Sequence, residues 1–114
     1  MAPTTMPGQR ATTSPAGRDT DQTGMPLRMA NLLGELVTPA YVTRQAVLNP
    51  KQINKAKKAI KKAFEYQVEG KCFSFVEVVS TCPTNWGLTP LEALDWAQET
   101  LVPYYELKDY KVPD

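Results

Sequence analysis

Apolar residues along this chain follow two different periods. Ala40-Tyr41-Val42-Thr43-Arg44-Gln45-Ala46-Val47 and Phe73-Ser74-Phe75-Val76-Glu77-Val78-Val79 are short and rich in aromatic and β-branched residues, which predicts strands. The second run is almost continuously apolar, the composition of a strand buried on both faces in a parallel sheet. Between the two, Ile53, Ala56, Ile60, Ala63, Phe64 and Gln67 recur at helical spacing. Asn49-Pro50-Lys51-Gln52 reads as the start of that helix, with Asn as N-cap, Pro at the first helical position and Gln two further on. Gly70 supplies its stop. Residues 40–79 therefore read as strand, helix, strand, a right-handed crossover joining parallel strands.

Helical stripes flank this unit. After Pro26, the positions Leu27, Ala30, Leu33 and Leu36, with Met29 and Leu32 beside them, predict a short helix over 27–36 that Thr38-Pro39 ends. Thr89-Pro90-Leu91-Glu92 is a capping box with Pro at the first position. Leu91, Leu94, Ala97 and Leu101 give that helix a buried face, and Pro103 limits it. The ends lack a period. Residues 1–26 hold four prolines, three glycines and six threonines, and read from composition as a loop or disordered tail whose Arg10 and Arg18 have no evident role. Tyr104–Asp114 mixes aromatics and charges and reads as an arm packing across a neighbour.

Two parallel strands do not make a stable sheet alone, and three helices with two strands do not close a core. The expected fold class is α/β, a parallel βαβ unit with flanking helices, as an incomplete domain. Its strands should be adjacent and parallel, with apolar side chains exposed at one edge.

Composition narrows the function. The 114 residues allow one small domain, and a net charge of +1 points to no class of partner, nucleic acid included. No run approaches the roughly 18 apolar residues of a membrane span. The start Met-Ala-Pro-Thr-Thr lacks the charged and apolar regions of a secretion signal, so a cytoplasmic location is the default. Lys51, Lys55, Lys57, Lys58, Lys61 and Lys62 occupy the other face of the long helix, either as its solvated side or as a docking patch for an acidic protein. Histidine is absent, which removes the commonest general base and metal ligand. The two cysteines, Cys72 and Cys82, lie at opposite ends of the second strand, roughly 25 Å apart at about 3.3 Å per residue. A disulfide needs Cα atoms within about 7 Å, so they do not pair.

The candidate chemistry lies where the second strand gives way to Ser80-Thr81-Cys82-Pro83-Thr84-Asn85. In open α/β sheets ligands gather beyond the carboxyl ends of the strands. From the residues alone Cys82 has four readings: a buried inert thiol, a nucleophile with no histidine to activate it, a redox thiol without a partner in reach, or one ligand of a metal centre completed elsewhere. A Cys-Pro step also stands at the last ligand of some iron–sulfur runs.

The segment Ser80-Thr81-Cys82-Pro83-Thr84-Asn85-Trp86-Gly87 resembles the signature near the C-terminus of the β subunit of 2-oxoacid:ferredoxin oxidoreductases, in their 2-oxoglutarate and branched-chain (2-oxoisovalerate) types. Met1 to Gln9, Ser14-Pro15, Arg44-Gln45-Ala46-Val47 and Leu91-Glu92-Ala93-Leu94 are similar too, in the same order over about residues 1–110. The resemblance implies part of a thiamine-diphosphate-binding fold in an enzyme that oxidatively decarboxylates a 2-oxoacid. Electrons would pass through [4Fe–4S] clusters to ferredoxin, and the acyl group to coenzyme A. It implies a cytoplasmic assembly with the remainder of the β subunit, an α subunit and further γ and δ subunits. Cys82 matches the last cluster ligand, and Thr4, Thr5 and Gln9 fall in a loop near the cofactor. No catalytic residue is carried over.

On this resemblance residues 1–26 become an active-site-type loop or extended arm, 27–103 the C-terminal α/β portion, and 104–114 a C-terminal arm. The family's Gly-Asp-Gly…Asn-Asn motif for diphosphate and Mg²⁺ is missing, as are its Cys-x-x-Cys pair and third cysteine, and a four-cysteine cluster needs more than two. The chain alone is therefore expected to be inactive and to bind none of these cofactors. The second reading is a non-catalytic module that docks on the α subunit through the lysine helix or the Tyr104–Tyr110 arm.

Overall fold

The computed structural model describes residues 3–113. Met1 and Ala2, the first residues of the resemblance, and Asp114 lie outside the described residues. The chain runs α1 (Thr20–Thr23), α2 (Met29–Gly34), β1 (Ala40–Ala46), α3 (Pro50–Val68), β2 (Phe73–Val79), α4 (Pro83–Trp86) and α5 (Pro90–Trp96). A π-helical turn (Ala97–Leu101), α6 (Val102–Tyr104) and β3 (Asp109–Lys111) complete it.

The expected strand–helix–strand order with parallel strands is present. β1 and β2 are parallel over seven aligned pairs, from Ala40 opposite Phe73 to Ala46 opposite Val79. The helix between them starts where its cap residues dictate: the Asn49 side chain accepts from the Gln52 N–H at 2.9 Å. Gln52 reaches one residue past the usual capping box and accepts from the Leu48 N–H at 3.0 Å. At α5 the Thr89/Glu92 capping box is complete in both directions.

The sheet has a third strand. β3 joins β1 antiparallel, giving the order β2-β1-β3. Asp109–Lys111, within the segment that the sequence suggested as an arm across a neighbour, thus return to their own sheet. This reverses the roles of the two long strands. β1 is central, with Ala40, Tyr41, Val42, Thr43, Arg44 and Ala46 buried, although it carries the polar residues. β2, the apolar run, is an edge: Phe73 and Val78 stay 49% and 40% exposed. The apolar exposure expected at one edge is therefore found at β2.

Three further expectations shift. The stripe chosen for α3 is rotated: Ala56 and Ala59 face the sheet, while Ile60 and Phe64 face outward. Small side chains let the helix approach the sheet closely, and size rather than hydrophobicity decides which face is inside. In α2, only Ala30 is fully buried, and Leu27 and Leu36 lie exposed outside a helix shorter than predicted. Leu91 is exposed too, and Ala93 takes its place inside.

Pro103 does not end the last helix. A proline clashes with the carbonyl four residues back, and the π-helical turn before it widens the helix there. The Val102 N–H reaches back to the Ala97 carbonyl, and the helix continues to Tyr104. The larger core gathers at the carboxyl end of the strands from Ala46, Leu48, Val79, Ala97, Leu101 and Tyr105. A smaller one, Ala30, Ala40 and Val42, fills the space between α2 and the sheet.

Candidate functional site

Beyond the carboxyl end of β2 lies a cleft of about 250 Å³. Its walls bring together segments far apart in sequence: Thr4, Thr5 and Gln9 from the N-terminal loop, and Glu77 to Cys82 from the end of β2 and the turn after it. Asn85 and Trp86 come from α4, and Leu101 and Tyr105 from the C-terminal helix. All four sequence-predicted site residues thus line one cleft.

The N-terminal segment is ordered by its own hydrogen bonds. Arg18 Nη1 donates to the Thr5 carbonyl at 2.9 Å and Nη2 to the Gly24 carbonyl at 3.1 Å. The Gly8 N–H donates to the Arg18 carbonyl at 2.9 Å, and the Arg18 N–H to the Gln9 carbonyl at 3.1 Å. The side chain of Gln9 accepts from the Met6 N–H at 2.8 Å. Arg18, without evident role in the sequence, organises this loop. Gly17 lies against it with φ +96°, and a Cβ there would stand 2.9 Å from the Gly8 carbonyl oxygen. Asn85 ties the loop to α4, accepting from the Thr12 backbone N–H at 3.1 Å and from its hydroxyl.

Cys82 is exposed, and Cys72, at the far end of β2, is half-buried; both are free thiols. The expected loop after β2 is a single helical turn with Cys82 at its N-cap and Pro83 at its first position. The Cys82 side chain makes no capping hydrogen bond there. Trp86, on the same turn, packs against Trp96 with ring centroids 4.8 Å apart, which fixes α4 to α5.

Two residues that sequence reasoning did not single out complete the cleft. Glu77 is in its wall, and its Oε2 accepts from Arg44 Nε at 2.7 Å and from the Ala30 N–H at 3.3 Å. The signal was available: Arg44 and Glu77 are the lone charged residues of their strands and directly opposed in register. Tyr105 is the other. Its hydroxyl donates to the Leu27 carbonyl at 3.1 Å. Burial, with Tyr104 and the Glu77 charge adding to it, pushes its pKa up to about 12.

The donor set fits some of the groups the resemblance implies and not others. Cys82, exposed and uncommitted as a cap, fits as one thiolate ligand of a cluster. Among the described residues no three acidic, Cys or His side chains converge on one point that a metal ion could fill. Glu77, the carboxylate in the cleft wall, is held by Arg44, so these residues do not form a Mg²⁺–diphosphate site.

Along nearly its whole length the chain matches a segment of subunits of 2-oxoacid oxidoreductases. It is 40% identical over 111 residues, 97% of the chain, to the ketoisovalerate oxidoreductase subunit VorA of Methanothermobacter marburgensis, and equally so to that of Methanothermobacter thermautotrophicus. With the 2-oxoglutarate synthase subunit KorB of Methanocaldococcus jannaschii it shares 32% over 114 aligned residues. The chain spans 23% of the VorA subunits and 38% of KorB. No family model matches it, and no solved structure does. Among the described residues no helix is long and apolar enough to cross a membrane.

Proposed function

We propose that these 114 residues are the C-terminal part of a 2-oxoacid:ferredoxin oxidoreductase β subunit, acting in the oxidative decarboxylation of a branched-chain or dicarboxylate 2-oxoacid. The observation that carries the reading is the cleft itself. Thr4, Thr5 and Gln9 share it with Cys82, more than seventy residues further along the chain. In the complete enzyme thiamine diphosphate with Mg²⁺ supports decarboxylation, [4Fe–4S] clusters carry electrons to ferredoxin, and coenzyme A takes the acyl group.

The chain's own residues have narrower tasks. Cys82 offers one thiolate at the end of β2, and Pro83 fixes the turn that presents it. Thr4, Thr5 and Gln9 supply hydrogen-bonding groups on the opposite wall. Three further thiolates and the diphosphate site come from polypeptide outside these residues, including the α subunit. The isolated chain is accordingly inactive toward 2-oxoacids and binds no thiamine diphosphate tightly, which calorimetry tests directly.

A chimaera tests the whole reading. The 114 residues replace the matching segment of the M. marburgensis VorA subunit in its assembled enzyme. The chimaera should oxidise ketoisovalerate. Within it, Cys82→Ala should lower iron content and alter the reduced-cluster EPR signal, and Cys72→Ala should leave both unchanged. An assembled chimaera without activity overturns the enzyme reading, and an unaltered signal in Cys82→Ala overturns the ligand role.

A further inference from the structure

Among the described residues that line the cleft, Glu77 carries the only charge. Both of its hydrogen bonds fall on one oxygen: Arg44 Nε donates to Oε2 at 2.7 Å and the Ala30 N–H at 3.3 Å. Oε1 accepts nothing from the described residues, and the side chain keeps 19% of its surface exposed. No cation offsets this carboxylate from the cleft side. Arg44 is wholly buried, and its other N–H groups go to the Asn31 side chain, the Glu106 carbonyl and the Tyr110 hydroxyl. Arg18 donates to the Thr5 and Gly24 carbonyls, and no lysine or arginine is among the lining residues.

The lining is graded along β2 and the turn after it. Side chains two apart on a strand share a face, so Val79 stands beside Glu77, where it packs with Leu101 and Tyr105. Ser80 and Thr81 come next before Cys82, and their hydroxyls bond to no described residue. A 2-oxoacid seated here would set its carboxylate and keto oxygen among the hydroxyls at the Cys82 end. Its side chain would lie against Val79 and Leu101, toward Glu77. A branched alkyl group meets apolar surface there. The second carboxylate of a dicarboxylate would meet Glu77, like charge against like, in a partly buried place where screening is weak.

We propose that Glu77 is the specificity-determining residue of the cleft: its carboxylate turns away a 2-oxoacid that carries a second carboxylate and leaves the cleft to branched, uncharged side chains. The inference rests on the reading above that the cleft handles a 2-oxoacid, and narrows that reading to one substrate class. Specificity of this kind uses a repulsive element beside the attractive one. Arg44 is then a positioning residue, which fixes where the repelling carboxylate stands.

The VorA chimaera tests it through kcat/KM for ketoisovalerate and for 2-oxoglutarate. Glu77→Gln keeps an oxygen for Arg44 Nε and removes the charge. It should raise kcat/KM for 2-oxoglutarate relative to ketoisovalerate by roughly tenfold or more, through KM. Added salt should narrow the same gap in the unsubstituted chimaera. A Glu77→Gln chimaera that changes both substrates by one factor overturns the proposal. The isolated chain gives a reading without turnover. Ketoisovalerate should slow the modification of Cys82 by an aromatic disulfide reagent, and 2-oxoglutarate at equal concentration and ionic strength should not. Equal protection by both acids, or by neither, overturns the proposal too. The readings on unsubstituted protein decide the matter even where the variant fails to assemble. An assembled chimaera that oxidises neither acid removes the enzyme reading, while selective protection of Cys82 stands or falls independently of it.

Discussion

Arg44, wholly buried at the centre of the sheet, donates through Nε to the carboxylate of Glu77, its register partner on β2, at 2.7 Å. The same guanidinium donates to Asn31 Oδ1 at 2.9 Å, to the Glu106 carbonyl at 3.2 Å and to the Tyr110 hydroxyl. Its plane also lies near the Tyr105 and Tyr110 rings, 5.1 and 4.8 Å from their centroids. One side chain thereby joins α2, both long strands and the C-terminal segment. Truncating one partner of such a pair strands the other charge, at a cost of about 3–5 kcal/mol. Arg44→Ala should therefore lower stability by that amount in urea denaturation, and Arg44→Lys, without the planar fork, should recover only part of it.

The loop carrying Thr4, Thr5 and Gln9 depends on Gly17. An alanine there would meet the Gly8 carbonyl in a backbone conformation that side chains disfavour. Gly17→Ala should cost about 1–3 kcal/mol and loosen the loop selectively. Amide exchange should quicken at Gly8 and Arg18 and stay unchanged at Val42 and Thr43.

The two thiols should differ in reactivity. Cys82 is exposed and Cys72 half-buried, with no disulfide between them. Titration with an aromatic disulfide reagent should give a fast phase that Cys82→Ala removes and a slower one that Cys72→Ala removes. A single phase of equal rates would contradict the geometry.

Alkaline pH should weaken the fold through Tyr105. Its folded pKa stands above the ordinary value of 10.0, at about 12. The neutral form is thus favoured in the folded state, and its contribution is complete below pH 10 and lost as pH rises toward 12. Tyr41 and Tyr110 are raised as well, chiefly by burial, and act in the same direction. Tyr105→Phe should flatten part of the fall in melting temperature across that window.

Local chemistry made the crossover legible. Asn49 and Thr89 announce their helices, and the period changes at Phe73 from helix to strand. β3 was not legible: Asp109-Tyr110-Lys111 is three residues without apolar alternation, held in place by β1 and Arg44. The inner face of α3 was missed because Ile60 and Phe64 outrank Ala56 and Ala59 in hydrophobicity, while the sheet admits only the small ones. At the site, Cys82 stood out by its position after an apolar strand. Thr4, Thr5 and Gln9 came from resemblance alone, since nothing in the spacing of residues 1–26 links them to a cysteine so far along the chain. Glu77 and Arg44 needed the register to bring them together.

The Arg44 junction also sets an order of events during synthesis. Asn31, Arg44 and Glu77 leave the ribosome well before Glu106 and Tyr110. Until those last partners emerge, the nascent crossover holds a guanidinium only partly satisfied, and its central strand lacks the β3 side. With Glu77 emerged and Glu106 still inside the ribosome, Arg44 has only its Asn31 and Glu77 partners. The latch closes only once Glu106 and Tyr110 have emerged to meet Arg44.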